Sequence, residues 1–79
     1  MMDAEFRLPP LGENIEEGDV ITLLVSEGDS IVKEQPVLVM ETGKATVEVP
    51  STVAGTIKKI HVAEGSKASV GQVILTVEE

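Results

Sequence analysis

Apolar side chains recur along this chain in short runs of alternating or β-branched residues, and no stretch carries the three-and-four spacing of an amphipathic helix. The pattern predicts a short strand within 5–11 and further strands over 19–25, 31–32, 37–41, 46–49, 56–62 and 73–77, with a short apolar step at 68–70. Phe6 and Leu8 carry the first strand, and Pro9 and Pro10 stop it by removing two backbone donors from any ladder. Turn-forming clusters punctuate the rest, at 26–30, 33–36, 50–55, 63–67 and 71–72. The expected class is all-β.

Sliding the sequence against itself by 37 positions superimposes Gly18 on Gly55, Val20 on Ile57, Leu23 on Ile60 and Val25 on Val62. The match continues with Glu27 on Glu64, Gly28 on Gly65, Gln35 on Gln72, Val37 on Ile74, Leu38 on Leu75 and Glu41 on Glu78. In each copy the core candidates are spaced by three and then by two, which predicts a bulge or bend where the strand changes sheet. Neither half can bury its own apolar face. The halves are therefore expected to pack on each other as a flattened barrel or sandwich with quasi-two-fold symmetry.

At the junction of the halves, Met40-Glu41-Thr42-Gly43-Lys44-Ala45-Thr46-Val47-Glu48-Val49 reads as two strands joined by a Gly-Lys pair. Such a pair suits a two-residue type II′ turn, because Gly at the first central position accepts the positive φ of the reversal. Lys44 is expected at an exposed tip, with the chain termini at the opposite end. The acidic loop Gly12-Glu13-Asn14-Ile15-Glu16-Glu17-Gly18 lacks the alternating ligands of a calcium loop. It reads as a solvated connection, or as a recognition surface if it lies beside Lys44. Its connection is expected to be about three residues longer than the counterpart around 51–54.

Composition narrows the function further. The 79 residues make one domain, spanning 1–79, and a chain of this size buries roughly 60% of its unfolded surface, which favours display over a deep cleft. Twelve Val and six Ile against the single Phe6 reinforce a sheet fold. No cysteine is present for a disulfide or a thiolate metal site. A formal charge of −8 repels phosphate backbones and anionic lipid heads, so neither nucleic acid nor membrane is an expected partner. The apolar runs fall far short of the roughly 20 residues that span a bilayer, and the start lacks a basic n-region, so a soluble intracellular domain is expected. An enzyme reading is weak. His61, the lone histidine, sits on an expected solvent face, and Glu41 and Glu48 flank the hairpin without a nearby nucleophile.

Glu41-Thr42-Gly43-Lys44-Ala45 followed by Thr46-Val47-Glu48-Val49-Pro50 resembles the Glu-Thr-Asp-Lys-Ala hairpin of the lipoyl domain in the dihydrolipoamide acyltransferase (E2) component of 2-oxo acid dehydrogenase complexes. Leu8-Pro9 with Gly12, Gly28 sixteen residues before the lysine, Ala54-Gly55 and Glu64-Gly65 support the resemblance, which covers essentially the whole chain. It implies a non-catalytic carrier cut from a larger acyltransferase, with lipoate joined as an amide to Lys44 by a lipoate ligase or lipoyl transferase. The arm is then expected to be acylated by the decarboxylase (E1), to pass the acyl group to coenzyme A at the E2 catalytic domain, and to be reoxidised by dihydrolipoamide dehydrogenase (E3). The cofactor supplies that chemistry. Pyruvate is the expected 2-oxo acid, and the bacterial cytoplasm, or the mitochondrial matrix of a eukaryote, the expected compartment.

The resemblance also assigns recognition roles to Glu41, Thr42, Gly43, Ala45 and Gly28, and to the loop Gly12, Glu13, Asn14, Ile15, Glu16 and Glu17. Gly43 stands where the family usually has aspartate, which keeps the turn and loses a carboxylate beside the lysine. A biotin carrier, whose lysine is typically flanked by methionines, is disfavoured by Gly43 and Ala45. A glycine-cleavage carrier is longer and ends in helices. An unmodified barrel-sandwich interaction domain is the alternative from another class.

Overall fold

The structure is a computed structural model that describes residues 2–43 and 45–79; Lys44, the expected attachment site, lies outside the described residues. Eight strands are present among them: β1 (Asp3–Arg7), β2 (Glu17–Leu23), β3 (Ser30–Ile31), β4 (Pro36–Glu41), β5 (Thr46–Pro50), β6 (Gly55–Ile60), β7 (Lys67–Ser69) and β8 (Val73–Glu78). They form two four-stranded sheets, ordered β1-β8-β6-β3 and β5-β4-β2-β7, with antiparallel pairing throughout. The apolar faces of the sheets close on a core that includes Phe6, Val20, Ile31, Leu38, Met40, Val49, Ile57, Leu75 and Val77. No helix among the described residues is long and apolar enough to cross a membrane.

The two-fold repeat is visible bond by bond. Gly28 N–H donates to the Ile57 carbonyl at 2.8 Å and Gly65 N–H to the Val20 carbonyl at 2.7 Å. Register shifts fall between Val20 and Thr22 in one copy and between Ile57 and Lys59 in the other, so the expected bulge occurs in both. Neither bulged strand changes sheet, however; β2 and β6 each keep to one. The irregularity puts Val20 and Ile57 in the core while Leu23 and Ile60 stay partly buried at its margin.

The halves do not form separate layers. Each sheet takes two strands from the part of the chain before the β4–β5 reversal and two from the part after it. Thus β2 lies between β4 of its own half and β7 of the other, and β6 lies between β8 and β3. Through this interlacing both halves contribute strands to each sheet and side chains to one shared core.

Pairing also corrects the expected length of the first loop. Asp3 faces Glu78 as Thr46 faces Glu41, so β1 maps onto β5 at an offset of 43 whereas β8 and β4 are 37 apart. The connection after β1 is therefore longer than its counterpart by the difference of those offsets, six residues rather than about three. The repeat was faint here because the equivalent strands DAEFR and TVEVP share only Glu5 and Glu48. The first strand itself runs over Asp3–Arg7, starting two residues before the expected Glu5 and ending, as expected, before Pro9 and Pro10. Beyond a register shift after Phe6, Leu8 N–H donates to the Gln72 carbonyl, tying the chain to the turn before β8.

Backbone proximity explains two glycines. A Cβ at Gly55, whose φ is +147°, would stand 2.3 Å from the Glu78 carbonyl oxygen, and one at Gly18 would stand 2.9 Å from the Glu41 carbonyl oxygen. Both are places where neighbouring strands cross too closely for a side chain. Gly28, at φ +94°, has open space around it and needs glycine only for conformation. Gly55→Ala is expected to cost about 3 kcal/mol or more, and Gly28→Ala about 1–2 kcal/mol. Urea unfolding midpoints at unchanged slope measure the difference.

Candidate functional site

The β4–β5 reversal is closed by Thr42. Its N–H donates to the Ala45 carbonyl at 3.1 Å, its Oγ1 donates to the same carbonyl at 3.1 Å, and Ala45 N–H donates back to Oγ1 at 3.4 Å. Gly43 has φ +88°, the positive value expected of the first central residue. A Cβ there would meet nothing within 4 Å, and Gly43, Ala45 and Thr46 are exposed. The loop is thus ordered at its base and open on its outside. An enzyme can approach it without displacing the fold.

Rows of paired residues show what shares this end of the molecule. Thr46, Glu41, Asp19 and Lys67 lie side by side across β5, β4, β2 and β7, while Asp3, Glu78, Thr56 and Ser30 form the equivalent row of the other sheet. Val70 N–H donates to the Glu16 carbonyl and Gly71 N–H to that of Leu8, which brings the β1–β2 and β7–β8 connections to the hairpin's end. Met2 and Glu79, joined by an N–H donated from Glu79 to the Met2 carbonyl, lie with the Asp3–Glu78 pair at the other end of a body 38 Å long, as the repeat predicted.

The acidic loop flanks the hairpin on two sides. Its approach, Pro9 to Leu11, lines an open groove of about 230 Å³ against Val47, Glu48, Val49 and Pro50. Its exit, Glu17 and Gly18, shares a polar cleft of about 280 Å³ with Asp19, Glu41, Thr42, Gly43 and Lys67. Between them the loop is held on itself. Ile15 N–H donates to the Gly12 carbonyl at 3.3 Å, Asn14 takes a positive φ of 63°, and Glu13 and Glu16 are exposed. Gly28 is not brought here; it sits beside Ile57, near the row that holds the termini, and its symmetry mate Gly65 is the one near the hairpin.

Two residues of the polar cleft had no signal in the sequence. Asp19 and Lys67 form an ion pair of 3.4 Å between exposed side chains, made possible only by the β2–β7 register. Their separation along the chain hides the contact. His61 is exposed, with Nε2 2.8 Å from Thr76 Oγ1, and Glu41 and Glu48 are exposed on separate strands, so neither supplies an enclosed acid or base. Among the described residues no group of His, Cys, Asp and Glu is arranged to hold a metal.

Comparison with known proteins places this geometry in context. The family model described as biotin-requiring enzyme matches residues 4–77. The chain is 40% identical over 77 residues to the dihydrolipoyllysine-residue acetyltransferase component of the Staphylococcus aureus pyruvate dehydrogenase complex, covering 98% of this chain and 18% of that protein. The Staphylococcus epidermidis counterpart is 39% identical over the same length. The chain therefore spans under a fifth of the length of these relatives.

Among solved structures, the lipoyl domain of the Azotobacter vinelandii 2-oxoglutarate dehydrogenase complex superimposes with a TM-score of 0.71 at 26% identity, over 96% of this chain and 98% of that one. Kluyveromyces lactis urea carboxylase matches at 0.78 and 17% identity, over 99% of this chain and 6% of that one, a likeness of fold alone.

Removing the Thr42 hydroxyl tests how the loop is held. Thr42→Val is expected to cost about 1 kcal/mol and to speed amide exchange at Ala45, whereas Thr42→Ser retains both bonds. Hydrogen exchange followed residue by residue reads the outcome.

Proposed function

Because the chain belongs to the biotinyl/lipoyl domain family, we propose that it is the lipoyl carrier domain of a pyruvate dehydrogenase acyltransferase, with Lys44 as the residue that carries lipoate. The observation that carries this reading is the hairpin itself. Thr42 and Gly43 shape a reversal at the end opposite the termini, and the one lysine of the loop stands between Gly43 and Ala45 in sequence. An amide-linked arm fits such a loop, since its flanks are exposed and nothing crowds Gly43. A biotin carrier has less support, because the methionines typical of its flanks are replaced by Gly43 and Ala45.

When bound, lipoate supplies a disulfide that accepts an acyl group with reduction, yields that group to coenzyme A and is then reoxidised. The chain's own residues position and present. Antiparallel pairing up to Glu41 and Thr46 fixes where the loop leaves the sheet, and the Thr42–Ala45 bonds keep its two arms together. Glu41, Glu17 and Asp19 give the adjoining cleft an acidic face. This suits recognition by basic groups of the attaching ligase or transferase and of the decarboxylase. Association with dihydrolipoamide dehydrogenase and with the catalytic domain of the parent acyltransferase completes the proposed cycle. The bacterial cytoplasm is the proposed compartment, in keeping with the staphylococcal relatives.

Incubation with lipoate, ATP and a lipoate ligase should add one lipoyl mass to the domain and none to Lys44→Ala, as read by intact mass spectrometry. An unmodified wild-type domain would contradict the carrier reading, and a modified variant would contradict the site. Gly43→Asp is expected to preserve or improve acylation by the cognate decarboxylase. The new side chain would enter open space, and aspartate tolerates a positive φ better than most residues. A large fall in the acylation rate would show that the carboxylate is unwelcome in this chain.

A further inference from the structure

The two-fold repeat gives the molecule an internal control for what an exposed position requires. On the sheet β5-β4-β2-β7 the row Thr22, Val39 and Glu48 faces outward, between inward rows that hold Val20 with Met40 and Leu23 with Leu38. Ile21, the extra residue of the β2 bulge, and Leu24, just past the strand, lie on either side of Thr22 and are 43% and 46% exposed. Their equivalents at the offset of 37 are Lys58 and His61, both exposed, and that of half-buried Val39 is Thr76. The same backbone positions thus carry charged or polar side chains on the other sheet. Apolar side chains at Ile21, Leu24 and Val39 are not a requirement of the fold.

Charge separates the two faces as well. Strands β2, β4 and β5 hold four carboxylates, Glu17, Asp19, Glu41 and Glu48, and no lysine or arginine. Strands β1, β6 and β8 balance Asp3, Glu5 and Glu78 with Arg7, Lys58 and Lys59. We propose, resting on the carrier reading, that the strip of Ile21, Val39 and Leu24 with its carboxylate rim is a docking face for the decarboxylase that acylates the arm. Its occupant is a basic surface of that enzyme carrying an apolar projection.

Position and charge favour this occupant. Asp19, Glu41 and Thr46 form the next outward row toward the hairpin, so a partner seated at the display end meets the strip without leaving the sheet. The acidic rim draws a basic surface in and repels an anionic one, while the apolar strip loses water on contact and fixes the orientation. Three side chains, the two most open of them under half exposed, are too few for a stable interface of roughly 1,200–2,000 Å². A small contact suits an enzyme that must meet and release the domain in every cycle. The attaching ligase modifies the domain once and makes no such demand.

The test uses the lipoylated domain as substrate for the decarboxylase of its own complex. Ile21→Thr/Leu24→Thr puts polar side chains where the other sheet already has them. It is expected to raise KM for the domain about ten-fold with kcat unchanged, and to leave the rate of lipoate attachment unchanged. Lys58→Thr/His61→Thr, the equivalent change on the other face, is expected to leave KM as it is. An unaltered KM in Ile21→Thr/Leu24→Thr would overturn the docking face, as would an equal rise in the Lys58→Thr/His61→Thr control. A parallel loss of attachment rate would overturn the choice of the decarboxylase and move the face to the ligase. All three results leave the carrier reading standing, whereas a domain that gains no lipoyl mass overturns both. Should Ile21→Thr/Leu24→Thr fail to fold, methyl spectra of the unsubstituted lipoylated domain titrated with unlabelled decarboxylase decide. Broadening at Ile21 and Leu24 supports the face, and changes confined to residues outside β2, Leu24 and β4 overturn it.

Discussion

Leu23 and Ile60 occupy equivalent places after the bulges of β2 and β6, and each backbone N–H is satisfied by a carboxylate from the other half. Glu64 accepts from Leu23 at 2.9 Å and Glu27 accepts from Ile60 at 3.1 Å. Without these partners, the bulges would leave donors facing no strand at the margin of the core. The same turns that supply the glutamates also supply Gly28 and Gly65, whose amides bond Ile57 and Val20. Each half therefore completes the irregular strand of the other, and the sandwich depends on that reciprocity.

A reciprocal framework has one consequence for function. The two-fold operation relates the β4–β5 reversal to the place where β8 ends and β1 begins, so the chain is continuous at one end and open at the other. A carrier needs this division, with a tether at one end and a display loop at the other. The longer β1–β2 connection breaks the symmetry on the display side. Its six additional residues give the hairpin two unlike flanks, one aliphatic along β5 and one acidic beside β2.

Stability and display are separated in the side chains as well. The single aromatic, Phe6, is fully buried on β1, where its symmetry mate on β5 is the smaller Val49. The largest core side chain therefore belongs to the terminal strand and not to the hairpin. Thr42, Gly43 and Ala45 contribute to the shape of the loop through backbone geometry and local hydrogen bonds. The charge of −8 and the scarcity of exposed cations leave the surface suited to basic partners.

By itself the sequence determined the all-β class, the repeat at an offset of 37, the bulges at Val20 and Ile57, the hairpin around Gly43 and the likeness to a lipoyl domain. These are properties of local pattern. Alternation, glycine placement and turn chemistry act over a few residues, and a duplicated unit preserves them in both copies. Only the tertiary structure decided that the halves interlace, that β1 corresponds to β5 at an offset of 43, and that Gly65 rather than Gly28 lies near the display loop. Nor could local pattern reveal the Asp19–Lys67 pair or the groove between Leu11 and Val47. Each depends on which strand neighbours which. That is set by long-range burial and backbone pairing across the whole chain, and adjacent residues carry no record of it.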